Sequence, residues 1–157
     1  MNTTVRRKIV RKMALGCVAG SLLYLASSCV HVEYAVPPTY AAAGVHVTQA
    51  RVEYDDDEIQ ISMVVTNDTD QPMVVDRNQI LCALPSGQLL SRSNAMVFGI
   101  PTAPTYLLPP RGNHEVQLAY KVPPNTPHVS LLLSRGIFAN NQPVDLPAYV
   151  ITRKLDK

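Results

Sequence analysis

The chain of 157 residues has no tryptophan, two phenylalanines and only three cysteines. The cysteine and tryptophan framework of antibody domains is therefore excluded. Its longest uncharged apolar stretch, Met13 to Ser28, holds 16 residues, where a membrane-spanning helix usually needs about 20. No Gly-x-Ser-x-Gly or Ser-x-x-Lys sequence occurs, and no His-x-His or His-x-x-x-His spacing pairs the four histidines, so no familiar nucleophile or metal-pair motif is present. No internal repeat or heptad is visible. Thirteen prolines, the first at Pro37, leave no room for a long helix in the body of the chain.

What is present is concentrated at the start. A basic cluster, Arg6, Arg7, Lys8, Arg11 and Lys12, runs into the apolar stretch, which closes on Leu25-Ala26-Ser27-Ser28-Cys29. A positive end, a short apolar core and small residues before a cysteine are the layout of a bacterial lipoprotein export signal. The expected boundaries are a signal peptide at 1–28, a lipidated N-terminus and tether at 29–44, and a folded domain at 45–157. Cys29 is the expected lipid-attachment residue, because a thiol can be alkylated to a stable thioether. Cys17 follows Lys12 too closely to have an apolar core of its own and belongs to the signal. The arginine pair resembles a twin-arginine motif, but Val5 stands where that motif prefers Ser or Thr, and a general secretory route is expected. Val30, the neighbour of Cys29, is uncharged. In a Gram-negative host an aspartate there tends to hold a lipoprotein at the inner membrane, so outer-membrane residence facing the periplasm is expected.

Cleavage before Cys29 reverses the charge. It removes five of the 14 basic residues and none of the 12 acidic ones, leaving a net charge of −3. A nucleic-acid partner needs a basic face, which the mature chain lacks, and a polybasic membrane patch is equally unsupported. With Cys17 removed and Cys29 taking the lipid, Cys82 is the one free cysteine left, so no intramolecular disulfide is expected. Its setting, Gln79-Ile80-Leu81-Cys82-Ala83-Leu84, reads as a buried structural thiol.

From Val45 onward the hydrophobic pattern has period two, the signature of half-buried strands. Ile59, Ile61, Met63 and Val65 share one face; Val116, Leu118, Tyr120 and Val122 repeat the pattern, as do Val129, Leu131 and Leu133. Further strands are expected at Val45–Tyr54, Met73–Val75, Ile80–Leu84, Leu89–Leu90, Met96–Ile100 and Tyr149–Thr152. Val30 to Gly44 shows neither period and reads as a tether, although Tyr34 and Tyr40 offer surfaces for packing on the domain. Seven to nine short strands in about 110 residues point to one two-sheet antiparallel sandwich, since each apolar face needs a partner layer.

The order of these pieces carries a resemblance. Val64-Val65-Thr66-Asn67-Asp68-Thr69, then Ile80-Leu81-Cys82-Ala83-Leu84-Pro85-Ser86-Gly87, then Leu107-Leu108-Pro109-Pro110-Arg111-Gly112 before Val116 to Pro123, resembles the telokin-like, immunoglobulin-fold domains of bacterial lipoproteins of unknown function. The likeness covers roughly Val45 to Ser134. It implies an immunoglobulin-like sandwich and no catalytic residue.

Three groups of residues offer chemistry. Asp55-Asp56-Asp57-Glu58 offers carboxylate oxygens to calcium but lacks a glycine-centred loop with spaced ligands, and reads as a solvated hairpin turn. Asn67-Asp68-Thr69-Asp70 reads as a turn closed by its own side chains. A copper carrier would use Met and His, yet Met63 lies on an apolar face and no His-x-Met pair joins Met63, Met73 or Met96 to His31, His46, His114 or His128. The expectation is a non-enzymatic lipoprotein without cofactor, whose sandwich binds another envelope protein; a small-ligand or metal-binding lipoprotein is the alternative.

Overall fold

The computed structural model describes residues 33–55, 57–93 and 103–154. The signal segment, Cys29, His31, Asp56 and the expected strand Met96–Ile100 lie outside the described residues. The chain divides into Met1–His31 and Val32–Lys157, and the second unit is the one described.

Thirteen strands and one 3-10 turn make up its described elements: β1 (Tyr34–Ala35), β2 (Tyr40–Ala42), β3 (Val45–Asp55), β4 (Glu58–Asn67), β5 (Met73–Asp76), β6 (Leu81–Ala83), β7 (Leu89–Leu90), β8 (Thr105–Leu108), β9 (Asn113–Lys121), β10 (His128–Leu132), the 3-10 turn (Leu133–Arg135), β11 (Ile137–Ala139), β12 (Gln142–Pro143) and β13 (Tyr149–Arg153). All pairings are antiparallel, in the orders β2-β3-β4-β9, β1-β13-β10-β6-β7 and β12-β11-β5-β8. The fold is thus all-β and sandwich-like, as the period-two pattern requires. The strands are more numerous and form three hydrogen-bonded sheets instead of two, because several two- and three-residue ladders between prolines are too brief to extend a larger sheet.

β4 is the centre of the first sheet. Ile59, Ile61, Met63 and Val65 lie opposite Tyr120, Leu118, Val116 and His114 of β9, and all four are buried. The second sheet contributes Cys82, Val129, Leu131, Tyr149 and Ile151 to the same core cluster. Buried Tyr120 also donates its hydroxyl to the Ile80 carbonyl at 2.8 Å, which satisfies the one polar atom that its large ring brings inside.

β3 carries a bulge. Thr48 faces Val64 and Arg51 faces Ser62, so one extra residue is accommodated between them, with Gln49 in the left-handed region at φ 51°. The bulge explains why the inward residues change parity, from Val45 and Val47 to Val52 and Tyr54.

Two pieces of the expected tether pair with the domain, at the tyrosines that offered packing surfaces. Tyr34 and Ala35 pair with Arg153 and Thr152, and Tyr40 to Ala42 pair with Val47 to Val45. Aromatic packing supplies the reason: the Tyr34 ring meets Tyr54 at 6.3 Å and the Tyr40 ring meets Tyr149 edge-on at 5.3 Å. Tyr40 also donates to the Pro147 carbonyl at 2.6 Å. Ala43 and Gly44 close the β2–β3 hairpin with φ of 47° and 75°, the left-handed pair that a two-residue hairpin favours.

Asn67 is the buried joint between two turns. Its side-chain oxygen accepts from the Thr69 amide at 2.9 Å and the Thr69 hydroxyl at 2.7 Å, while its amide group donates to the carbonyls of Gln71 at 2.8 Å and Pro109 at 3.1 Å. The self-closing turn read from Asn67-Asp68-Thr69 is therefore formed.

Gly136 marks the tightest approach of backbone segments. A Cβ there would lie 2.3 Å from Ile80 Cγ1 and 2.5 Å from the Asp76 carbonyl oxygen, and the Gly136 carbonyl accepts from the Asp76 amide at 2.7 Å. Gly136→Ala is expected to force β5 and the 3-10 turn apart and to destabilise the domain by about 1–3 kcal/mol, the usual penalty of overpacking. A denaturant midpoint equal to that of the natural chain would contradict this close approach.

Candidate functional site

An open cleft of about 630 Å³ lies between β6 of the second sheet and the β11–β12 hairpin of the third. Leu81 of β6 and Phe138, Pro143 and Val144 supply its apolar lining, with Gln79, Ser134, Arg135 and Asp145 completing the wall. The β11–β12 hairpin that carries Phe138 turns through Asn140 and Asn141, at φ 50° and 60°. Two asparagines suit a turn in which both central residues are left-handed. The Val144 amide donates to the Ile137 carbonyl at 2.9 Å, so the hairpin and the returning chain are held together. A second depression, about 240 Å³, shares Gln79 and Phe138 with the first and adds Val74, Asp76, Thr105 and Asn141. Phe138 and Gln79 are thus common to both hollows. Gln79 is fixed by donating to Asp76 Oδ2 at 2.9 Å.

The cleft combines an apolar floor with one exposed cation at Arg135 and one exposed anion at Asp145. Ser134 has no histidine beside it among the lining residues.

Cys82 is buried and its thiol is pushed up to about 12 by that burial. It faces Leu131 and Leu90 across its neighbouring strands. Asp55 pairs with Glu58 in a hairpin whose Asp57 has φ 61°, and Asp57 accepts from the Tyr54 hydroxyl at 3.2 Å. His46 Nδ1 lies 2.7 Å from Asp68 Oδ2 at the surface, whereas His114 packs its ring on Tyr106 at 4.1 Å. Met63 and Met73 are core residues. Among the described residues no three His, Cys, Asp or Glu side chains converge as a metal-binding group, and no helix is long and apolar enough to cross a membrane.

Arg77 was not singled out in the sequence, yet it is the largest of the fully buried side chains. Its Nη1 donates to the Gln117 carbonyl on the edge of β9 at 2.6 Å, and its guanidinium carbon lies 5.2 Å from the centre of the Tyr106 ring. Among the described residues, Nε and Nη2 have no hydrogen-bond partner. Burial lowers its pKa. The neighbouring Ala119 carbonyl on the same edge accepts from the Ser93 amide at 2.8 Å. Two backbone acceptors that β9 turns away from β4 are thereby occupied.

No family model and no curated protein matches this sequence. Among solved structures, the chain resembles the yjhA protein from Bacillus subtilis with a TM-score of 0.54 at 12% identity, over 73% of this chain and 95% of that one. A looser likeness, TM-score 0.36 at 13% identity over 69% and 98% of the two chains, links it to the copper-bound PCuAC domain from PmoF2. These are small β-rich domains. The first likeness defines a shared fold class, an antiparallel β sandwich, and no activity follows from it; the second is too loose to carry an argument.

Proposed function

We propose that this chain is a lipid-anchored protein of the bacterial cell envelope whose telokin-like, immunoglobulin-type sandwich is a non-enzymatic binding module. Residues 1–28 direct export, Cys29 takes the lipid, and outer-membrane residence follows from the uncharged Val30. The module's ligand is an extended segment of another envelope protein, seated across Phe138 with an apolar side chain in the larger hollow. The observation that carries this reading is the cleft itself: an open apolar floor built by paired strands, with exposed Arg135 and Asp145 on its wall to meet charges of opposite sign. Open grooves of this kind suit a peptide better than an enclosed small molecule, which usually sits in a pocket with converging polar groups.

Two measurements test the two halves. In the mature protein Cys29 is alkylated, Cys17 is gone and Cys82 is buried with a thiol near 12. Thiol titration is therefore expected to find none reactive at pH 8 in the folded protein and one after denaturation, and Cys29→Ser is expected to remain at the precursor mass. A reactive thiol in the folded mature protein, or a lipid-free N-terminus at Gly44, would overturn the anchor. For the module, a photocrosslinker at exposed Gln79 is expected to form one discrete adduct in intact cells. That adduct should vanish with Phe138→Ser and be absent from a probe at Val150. Equal capture from both positions would reject the cleft as the contact surface.

A further inference from the structure

The distance between the proposed lipid and the first paired residue has a geometric consequence. Three residues, Val30 to Val32, separate Cys29 from Glu33. At Glu33 the fold is already engaged: its carbonyl accepts from the Lys154 amide at 2.8 Å, and its carboxylate meets Lys154 Nζ at 2.9 Å. Four Cα-to-Cα links, each spanning at most about 3.6 Å, allow at most about 14 Å between Cys29 and Glu33. The headgroup layer of one leaflet takes up about 5–7 Å of this. A lipidated Cys29 would thus hold Glu33 within about 10 Å of the headgroups.

The strand register then selects which end of the domain lies there. Tyr34 pairs with Arg153, the Arg153 amide donates to the Pro127 carbonyl at 2.8 Å, and its guanidinium reaches Asn125 at 2.9 Å. The turn from Pro123 to Pro127 is therefore adjacent to the anchored strand. Thr152, which pairs with Ala35, also pairs with His128 at the start of β10. From His128, β10 runs away through Leu132 and the 3-10 turn to Ser134 on the cleft wall, about 17 Å with strand steps of about 3.3 Å and 3-10 steps of about 2.0 Å.

We infer that the mature protein lies with the Pro123–Pro127 turn and the β1–β13 end against the lipid headgroups and with the cleft turned away, held there by a three-residue leash. This rests on the lipid anchor proposed above. Charge is not what holds it, because that end carries Glu33, Asp55 and Asp57 as well as Lys121, Arg153 and Lys154, and mixed signs give little net attraction to an anionic surface. A partner must accordingly reach the cleft from the side away from the anchoring membrane.

The test uses the full mature lipoprotein in phosphatidylethanolamine and phosphatidylglycerol vesicles containing headgroup-spin-labelled lipid. A fluorophore is attached to exposed Pro124→Cys or, separately, to exposed Gln142→Cys; buried Cys82 stays unlabelled. Quenching is expected to be several-fold greater at position 124 than at 142, and to persist at about 1 M salt, where the screening length is about 3 Å. A Gly/Ser insert of about 20 residues between His31 and Val32, with a reach of about 25 Å, should remove the difference. Intact mass separates the two possible failures. Protein without lipid overturns the anchor and this placement together. Lipidated protein with equal quenching at both positions, or with a difference that survives the insert, overturns the placement alone.

Discussion

Leu131→Ala is expected to lower domain stability by about 2–5 kcal/mol, the cost of removing buried methyl groups and leaving a partly relaxed cavity. Leu131 is fully buried in the middle of the second sheet, between Cys82 on one side and Tyr149 on the other. Ile61→Ala should behave alike from the first sheet, where Ile61 lies between Val52 and Leu118. Natural domains have about 5–15 kcal/mol in total, so either change removes a large share. At about 4 °C per kcal/mol for a domain of this size, melting should fall by about 8–20 °C. Val150→Ala, on an outward position 41% exposed, is the control and should shift stability by no more than about 0.5 kcal/mol. If the control cost as much as Leu131→Ala, the assignment of inward and outward faces in β13 and β10 would be wrong.

Those faces were readable because β4, β9, β10 and β13 are long enough for alternation to show. Ile59, Ile61, Met63 and Val65 announce a buried face without any tertiary knowledge. Thr105–Leu108 did not: only four residues lie in the strand, Pro104 and Pro109 flank it, and of its side chains Leu108 alone is fully buried. Tyr34–Ala35 and Tyr40–Ala42 are shorter still, and their place in the fold comes from rings that meet Tyr54 and Tyr149 more than a dozen residues away. Two further local signals lie in the sequence. The parity change from Val47 to Val52 marks the β3 bulge, and Asn140-Asn141 marks the turn that presents Phe138. The cleft itself had no local signal, since β6, the 3-10 turn, the β11–β12 hairpin and the chain beyond it each contribute a residue or two.

Arg77 shows the same limit at a single position, and its replacement carries the second large expected effect. In the sequence it sits between Asp76 and Asn78, polar neighbours that give no sign of burial. Its burial depends on β9, 40 positions further on, arriving with an edge carbonyl to satisfy. Two opposing terms decide what substitution does. Removing the charge relieves the desolvation of a guanidinium with two unpartnered nitrogens, and apolar replacement of buried ionic groups is often neutral or stabilising. Against that, the Gln117 carbonyl loses its donor, at about 1–3 kcal/mol, and the contact with the Tyr106 ring is lost, at about 0.5–2 kcal/mol. Methionine keeps most of the apolar stem, so Arg77→Met is expected within about 2 kcal/mol of the natural chain. Arg77→Ala adds a cavity the size of a large side chain and should cost about 3–5 kcal/mol. Arg77→Lys should fall between them, because an ammonium keeps the buried charge but is more strongly hydrated and loses the planar fork. Urea midpoints in the order Met, Lys, Ala would identify Arg77 chiefly as a space-filling cap on the β9 edge. A methionine variant as unstable as the alanine one would instead mean that the hydrogen bond to Gln117 and the charge over Tyr106 hold this corner of the sandwich together.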